Sequence, residues 1–407
     1  MKRLKQKFKP FHITIYKFFK NFVIGASMIY LDNASTTNKK PFCVKWAVFK
    51  ALTKKYCANP GRSAHKLSLN AGNEVFEARL KANDFFNVGS PEHVIFTSGC
   101  TEALNTAIFG TVKKGGHVII SSNEHNSVAR PLKKLEKDGI ISLTVVQTDE
   151  NYHITPEMIE KEIRPNTYLV VINHTSNVTG ATQDVSAIGK FCKKHKILFM
   201  VDCAQSAGHQ KIDMINQNKD IICVAGHKGL LAMQGVGLLC YQKDVEICPL
   251  KFGGTGTYGE MLLPPVTPPE SLEAGTGATP NIMSLSAGIS YVQKHFDKIN
   301  SKIEVLTKYL LDQLSQIKNI KIFTKPDCNN GVVSFVMTNH EPSEVVDYLD
   351  NKNICVRSGL HCAPLVHERL GTIKSGGTVR VSISHYNKKW EINKLLKELK
   401  KLTKNKV

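Results

Sequence analysis

Four stretches of the chain gather residue types that could do chemistry, and Lys228 stands in the first. It lies in Val224-Ala225-Gly226-His227-Lys228-Gly229, directly after the apolar run from Asp220 to Val224. Glycines near the lysine let backbone approach a ligand closely, and apolar surroundings lower an amine's pKa toward the range where it can attack an aldehyde. Lys228 therefore reads as a Schiff-base lysine; a phosphate-binding or surface lysine in a Gly-rich turn is the alternative. Upstream, the apolar run Ile197-Leu198-Phe199-Met200-Val201 ends in Asp202-Cys203-Ala204-Gln205. That sets a carboxylate at the carboxyl end of a buried strand, where α/β folds bind ligands. Cys362 lies in Arg357-Ser358-Gly359-Leu360-His361-Cys362-Ala363, a loop after a strand, and a thiol beside His and Gly there is a candidate nucleophile. Cys223 and Cys240, inside apolar strands, read as structural thiols. Arg380, in Thr378-Val379-Arg380-Val381-Ser382, carries a planar fork suited to bidentate carboxylate binding.

A further unit, Val94-Ile95-Phe96-Thr97-Ser98-Gly99-Cys100-Thr101, reads as strand, glycine turn and helix start. The N–H groups and dipole of such a helix end form an anion site, so Cys100 and Thr101 are candidates to hold a cofactor phosphate. Asp202-x-x-Gln205 followed by Gly226-His227-Lys228 resembles the class-V aminotransferase family of fold-type I pyridoxal phosphate enzymes. Leu31-Asp32-Asn33-Ala34, Ser176-Asn177-x-x-Gly180, Glu273-Ala274-Gly275-Thr276 and Arg380-x-Ser382 with Tyr386-Asn387 are similar to further elements of that family. The Arg357-x-Gly359-x-His361-Cys362-Ala363 element resembles cysteine desulfurases, and the short connection from Cys362 to Arg380 resembles their second, short-loop type, which has selenocysteine lyase-like relatives.

The resemblance runs from about Ile29 to the C-terminus and implies pyridoxal 5'-phosphate as cofactor. Asp202 would pair with the protonated ring nitrogen, which makes the ring an electron sink, and Gln205 would reach the ring oxygen. His125 would stack on the ring and share proton transfer with Lys228, and His227 would join the cofactor contacts. Asn177 and Arg380 would meet the substrate carboxylate. Cys362 would take sulfur from L-cysteine as a persulfide, releasing L-alanine, for delivery to an acceptor protein, with iron–sulfur cluster assembly among the downstream uses. Thr276 would reach the phosphate of a neighbouring subunit, implying a homodimer with shared active sites. Ala225 stands where many relatives carry Ser or Thr. A selenocysteine lyase or another class-V enzyme is the alternative activity, and a low-turnover sulfur-carrier scaffold the alternative outside catalysis.

The elements that must position these residues follow from periodicity. Apolar strands at Val94–Phe96, Val118–Ser122, Tyr168–Ile172 and Ile197–Val201 alternate with amphipathic helices, which predicts an α/β fold with a mainly parallel sheet flanked by helices. A helix is expected over about Ser68 to Phe86, and another after an Asp184 N-cap, with Val185, Ile188, Phe191 and His195 on one face. The breaker-rich loop Asn59-Pro60-Gly61-Arg62-Ser63-Ala64-His65 is similar to one that lies near the substrate entrance in the class-V family, which implies roles for Arg62 and His65 there, with ordinary surface polar residues as the alternative. From about Ser290 the pattern changes to a long helix and then short strands and helices, a smaller α+β domain. The expected division is residues 28–289 as a large cofactor-binding domain, with 28–40 as an opening segment near the active site, and 290–407 as the C-terminal domain.

Composition bounds the rest. At 407 residues and 42% hydrophobic, the chain is long enough for one large and one smaller domain. Its 11 cysteines form no Cys-x-x-Cys pair, so reduced thiols are expected, with neither a disulfide framework nor a metal site. The net charge of +20 is spread over helical faces without an aromatic-interleaved patch, so no specific nucleic acid partner is expected. Residues 1–27 carry seven Lys or Arg and no acid. They read as a presequence, an amphipathic membrane-surface segment, or sequence upstream of a start at Met28, the favoured reading. A cytoplasmic location is expected, with an organelle presequence as the alternative.

Overall fold

The computed structural model describes residues 28–61, 63–256, 259–328 and 330–403. The expectations for residues 1–27 and for Arg62 lie outside these. In chain order the elements are β1 (Ile29–Tyr30), α1 (Phe42–Ala51), α2 (Lys66–Phe86), β2 (Val94–Thr97), α3 (Cys100–Gly110), β3 (Gly116–Ser121), α4 (Asn126–Lys137), β4 (Ile141–Val146), α5 (Pro156–Glu160) and β5 (Thr167–Asn173). There follow α6 (Val185–Lys194), β6 (Leu198–Asp202), β7 (Ile221–Ala225), β8 (Gly237–Tyr241), α7 (Thr279–Leu314), β9 (Ile320–Ile322) and β10 (Val332–Met337). The C-terminal part holds α8 (Pro342–Asp350), β11 (Ile354–Cys355), β12 (Arg357–Gly359), α9 (Pro364–Leu370), β13 (Thr378–Ser382) and α10 (Lys389–Leu402). No helix among the described residues is long and apolar enough to cross a membrane.

The main sheet has the order β2-β8-β7-β6-β5-β3-β4. Strands β4, β3, β5, β6 and β7 pair in parallel, and β8 pairs antiparallel with both β7 and β2, so β8 alone runs against the rest. The mainly parallel expectation holds. Successive side chains of a strand point to opposite faces, so Phe199 and Val201 enter one apolar cluster while Met200 enters the other. Both faces of the sheet are covered, which is why these strands read as unbroken apolar runs. Strand order reverses between β3 and β5, and the carboxyl ends flanking that switch point are where an open α/β sheet binds its ligands.

The second sheet, β12-β13-β10-β9, is antiparallel and packs on the C-terminal half of α7. Ile29 and Leu31, from the segment grouped with the large domain on sequence, are buried in this second core, and β1 pairs parallel with β11. Helix α7 begins at Thr279, eleven residues before the expected change at Ser290, and continues to Leu314 across a kink at His295. The expected domain boundary therefore falls inside a helix. Its first turns escape a periodicity reading because they bury Ser284, Ser286 and Gly288 among the apolar positions; a Cβ at Gly288 would collide with the Leu230 carbonyl. Helix α6 is capped by Asp184 as expected, but its buried stripe ends at Cys192, and His195 is exposed.

Candidate active site

Strands β3, β5, β6 and β7 deliver their terminal residues to one edge of the main sheet. Asn173 is paired in register with Asp202, and Asp202 with Cys223. Above this edge lies a cavity of about 250 Å³ lined by Gly99, Cys100, Thr101, His125, Ser127, Asn177, Asp202, Gln205, Ala225, His227 and Lys228, among others. Residues as far apart in sequence as Gly99 and Lys228 thus share one wall, because each follows the carboxyl end of a strand or begins the next helix.

Lys228 sits in the connection between β7 and β8. Burial lowers its pKa, and Asp202 pulls in the opposite direction. Gly229 beside it is required by chain packing: a Cβ there would collide with the carbonyl of Ala207, so the close approach it permits is to the backbone after β6. The turn and irregular chain that follow β1 hold this connection in place. Thr37 Oγ1 donates to the Lys228 carbonyl at 2.7 Å, and Thr37 N and Lys40 Nζ donate to the His227 carbonyl at 3.2 and 3.0 Å.

Asp202 is 2 % exposed and accepts from Ala204 N at 2.9 Å. Its Oδ1 also lies 3.5 Å from the Cys100 thiol, so that side chain turns toward the carboxylate, and burial with the Asp202 charge drives the thiol pKa up. What Cys100 offers an anion is its backbone N–H at the start of α3, where the Gly99 N-cap has no side chain to satisfy the first turn. Thr101 Oγ1 shares a 2.8 Å hydrogen bond with Ser127 Oγ. His125 is the N-cap of α4 and also lines the cavity; its Nδ1 accepts from Ser127 N at 3.1 Å. Burial first, and the Lys228, Arg357 and Arg380 charges against Asp202, hold its pKa down at about 4, so it is neutral at pH 7. Gln205 donates to the Ala34 carbonyl at 2.9 Å, and His227 has its Nδ1 buried without a partner.

The second sheet brings the remaining pair. Arg380 is 1 % exposed on β13, with Nη2 donating to Asp32 Oδ1 at 2.9 Å and Nη1 to the Asn177 carbonyl at 3.0 Å. Cys362 is exposed, in the left-handed region with φ 59°, as is His361 at φ 49°. Its loop docks on the first sheet: the Cys362 carbonyl accepts from Asn126 N at 2.7 Å, and the His361 carbonyl from Asn177 Nδ2 at 2.6 Å. Thr276 does not line the cavity; it is exposed on a neighbouring cleft of about 620 Å³ that shares Ser98, Glu102 and Gly235 with it. His65, named with the entrance loop, serves as the N-cap of α2, where Nδ1 accepts from Ser68 N.

Three side chains to which the sequence reading gave no role of their own belong to this arrangement. Ser127 joins Thr101 to His125, and its signal was the polar step after Glu124-His125-Asn126. Arg357 extends Nη2 to within 3.9 Å of the Cys362 sulfur and carried a signal in the Arg-x-Gly-x-His-Cys element. Glu124 is wholly buried at the switch point, where its Oε1 accepts from Ser121 Oγ and Asn173 N; burial pushes its pKa up to about 8.

Comparison with known proteins agrees with this architecture. The family model described as aminotransferase class-V matches residues 29–395. A probable cysteine desulfurase of Methanothermobacter thermautotrophicus is 35% identical over 387 residues, covering 92% of this chain and 94% of the relative. A probable cysteine desulfurase of Pyrococcus abyssi is 33% identical, covering 95% and 97%. The apo structure of cysteine desulfurase from Thermococcus onnurineus NA1 superposes with a TM-score of 0.86 at 30% identity, over 93% of this chain and 95% of that one. A family match over most of its length and relatives of this similarity together establish that the chain belongs to the class-V aminotransferase family.

Proposed function

We propose that this protein is a pyridoxal phosphate-dependent cysteine desulfurase, converting L-cysteine to L-alanine and keeping the sulfur as a persulfide on Cys362. The observation that carries this reading is the docking of the Cys362 loop through Asn126 and Asn177, which sets an exposed thiol beside the wall of the cavity that holds Lys228. The names of its relatives support the same substrate.

The donor set suits that cofactor. Helix α3 offers first-turn N–H groups to a phosphate, and Asp202 offers a buried carboxylate to a protonated ring nitrogen. Asn173 Oδ1, Asn177 Oδ1 and His227 Nδ1 are buried polar atoms with no partner among the described residues, a cost that a bound polar group would relieve. When bound, pyridoxal phosphate supplies an aldehyde for the substrate amine and a sink for electrons released at carbon.

The chain's own residues supply the rest. The lowered pKa of Lys228 lets its Nζ both take the proton from substrate Cα and return one. Arg380, aided by Asn177, orients the α-carboxylate, and neutral His125 covers the ring. The Cys362 thiolate attacks the substrate sulfur: the Sγ–S bond forms, the Cβ–S bond breaks with its electron pair passing to carbon, and a proton added at Cβ completes alanine. The exposure of Cys362 suits delivery of that sulfur to an acceptor protein. Thr276, exposed on the adjoining cleft, would serve the cofactor phosphate of a second copy, which makes the working enzyme a homodimer.

The test is incubation of the purified holoenzyme with L-cysteine, with alanine assayed and the Cys362 peptide weighed by mass spectrometry. A mass increase of one sulfur and matching alanine are expected. The Cys362→Ala variant should keep the cofactor absorbance and lose both products; alanine formed at the wild-type rate by that variant refutes the mechanism.

A further inference from the structure

Strands β12 and β13 set Arg357 directly opposite Arg380 in the antiparallel register. Like charges facing each other across a ladder repel, so something must hold the two guanidinium groups together. Ser35, in the segment that follows β1, stands between them. Its hydroxyl accepts from Arg357 Nη1 at 2.9 Å and from Arg380 Nη2 at 2.9 Å, and donates to Asp32 Oδ1 at 2.8 Å. A hydroxyl has one proton to give and two lone pairs to fill, and here all three are used.

The two arginines depend on this hydroxyl unequally. Arg380 keeps two other anchors, Asp32 Oδ1 and the Asn177 carbonyl. Among the described hydrogen bonds, Arg357 has Ser35 Oγ on Nη1 and the Cys362 sulfur, 3.9 Å from Nη2, and no carboxylate. Removing the Ser35 hydroxyl therefore leaves Arg380 in place and frees Arg357 to swing away from its like-charged neighbour.

We propose that Ser35 is a positioning residue for the nucleophile: by tying Arg357 to Asp32 across the cation of Arg380, it keeps a guanidinium aimed at the Cys362 sulfur. A guanidinium N–H held at the sulfur orients it and stabilises the charge that develops around it as it reacts. Ser35 touches neither the reacting thiol nor the cavity, and it reaches the sulfur only through Arg357. The inference rests on the desulfurase reading for the purpose of the thiol, but not for the contact itself.

The experiment compares wild-type, Ser35→Ala and Ser35→Thr holoenzymes. Each is treated with iodoacetamide at fixed pH, and alkylation is followed peptide by peptide, with exposed Cys43, Cys57 and Cys248 as internal standards. In Ser35→Ala, alkylation of Cys362 is expected to slow roughly fivefold or more while the standards keep their rates. Ser35→Thr, which restores the hydroxyl, should return it to within about twofold of wild type, and KM for L-cysteine in Ser35→Ala should stay within about twofold because Arg380 keeps its anchors. Unchanged alkylation in Ser35→Ala overturns the proposal, as does a Thr variant as slow as the Ala variant. If wild-type enzyme yields neither alanine nor a persulfide, the desulfurase reading fails on its own, and the alkylation rates still decide whether Ser35 governs Arg357.

Discussion

Asn177 donates from its side-chain amide to the main-chain carbonyl of His361 at 2.6 Å, so a residue of the cavity wall holds the loop that carries the exposed thiol. His361 and Cys362 both sit at positive φ, a conformation that non-glycine residues adopt only when their surroundings enforce it. The bond from Asn177, with the one from Asn126 N, is part of that enforcement.

Asn177→Ala should therefore loosen the loop. Loss of the donor strands a buried carbonyl, which costs about 1–3 kcal/mol where no water replaces it. Hydrogen–deuterium exchange of the peptide spanning 357–366 should rise against wild type, and alanine production should fall by about tenfold or more. Unchanged exchange in that peptide would show that the Asn126 contact alone holds the loop.

A second expectation concerns Gly229, whose missing side chain makes room for the Ala207 carbonyl. Gly229→Ala forces the backbone after β6 and the β7–β8 connection apart, an overpacking cost of about 1–3 kcal/mol. The melting temperature should drop, and because Gly229 adjoins Lys228, cofactor affinity should fall with it. A melting temperature equal to wild type would mean that the two segments separate freely.

Titration provides a third. Burial holds His125 and His227 down at about 4 and His174 at about 3, so from about pH 6.5 downward the unfolded chain binds protons that the native state refuses. Their contribution to stability is complete above pH 6.5 and is lost as pH falls toward 4. Glu124, pushed up to about 8, has the opposite sign: the native state holds an extra proton from about pH 4.5 to 8, and stability falls as pH rises through that window. Glu124→Gln removes this second slope. Its melting temperature relative to wild type should climb between pH 5 and 8, and a constant difference across that range would contradict the buried-acid assignment.

The strands leading to Asp202 and Lys228 were legible because buried strands leave continuous apolar runs, whereas His125 and Asn177 were named only through the family resemblance, since each lies four residues beyond the end of its strand. Cys362 and Arg380 were legible as residue types in a loop and on an alternating strand. The N-terminal half of α7 was not, since Ser284, Ser286 and Gly288 dilute the apolar stripe where the helix lies closest to its neighbour. The Ser35 contacts were also hidden. They depend on a pairing between positions such as Asn33 and Ser382, 349 residues apart, and no local period encodes a partner at that distance. His195 failed as a stripe member for a simpler reason: the helix ends at Lys194 and His195 is its C-cap, so the stripe closes with Phe191 and Cys192.

The short strand β1 also bears on how the molecule is made. Ile29 is buried against a core whose other members run from Leu306 to Leu402, so a ribosome translating this message releases the first strand long before its neighbours exist. That apolar segment must wait, unpaired, until β11 and the second core have been made. Removing β1 or β11 would consequently strand the other, and a nascent chain stalled before β11 would expose Ile29 and Leu31 to whatever chaperone or sticky neighbour arrives first.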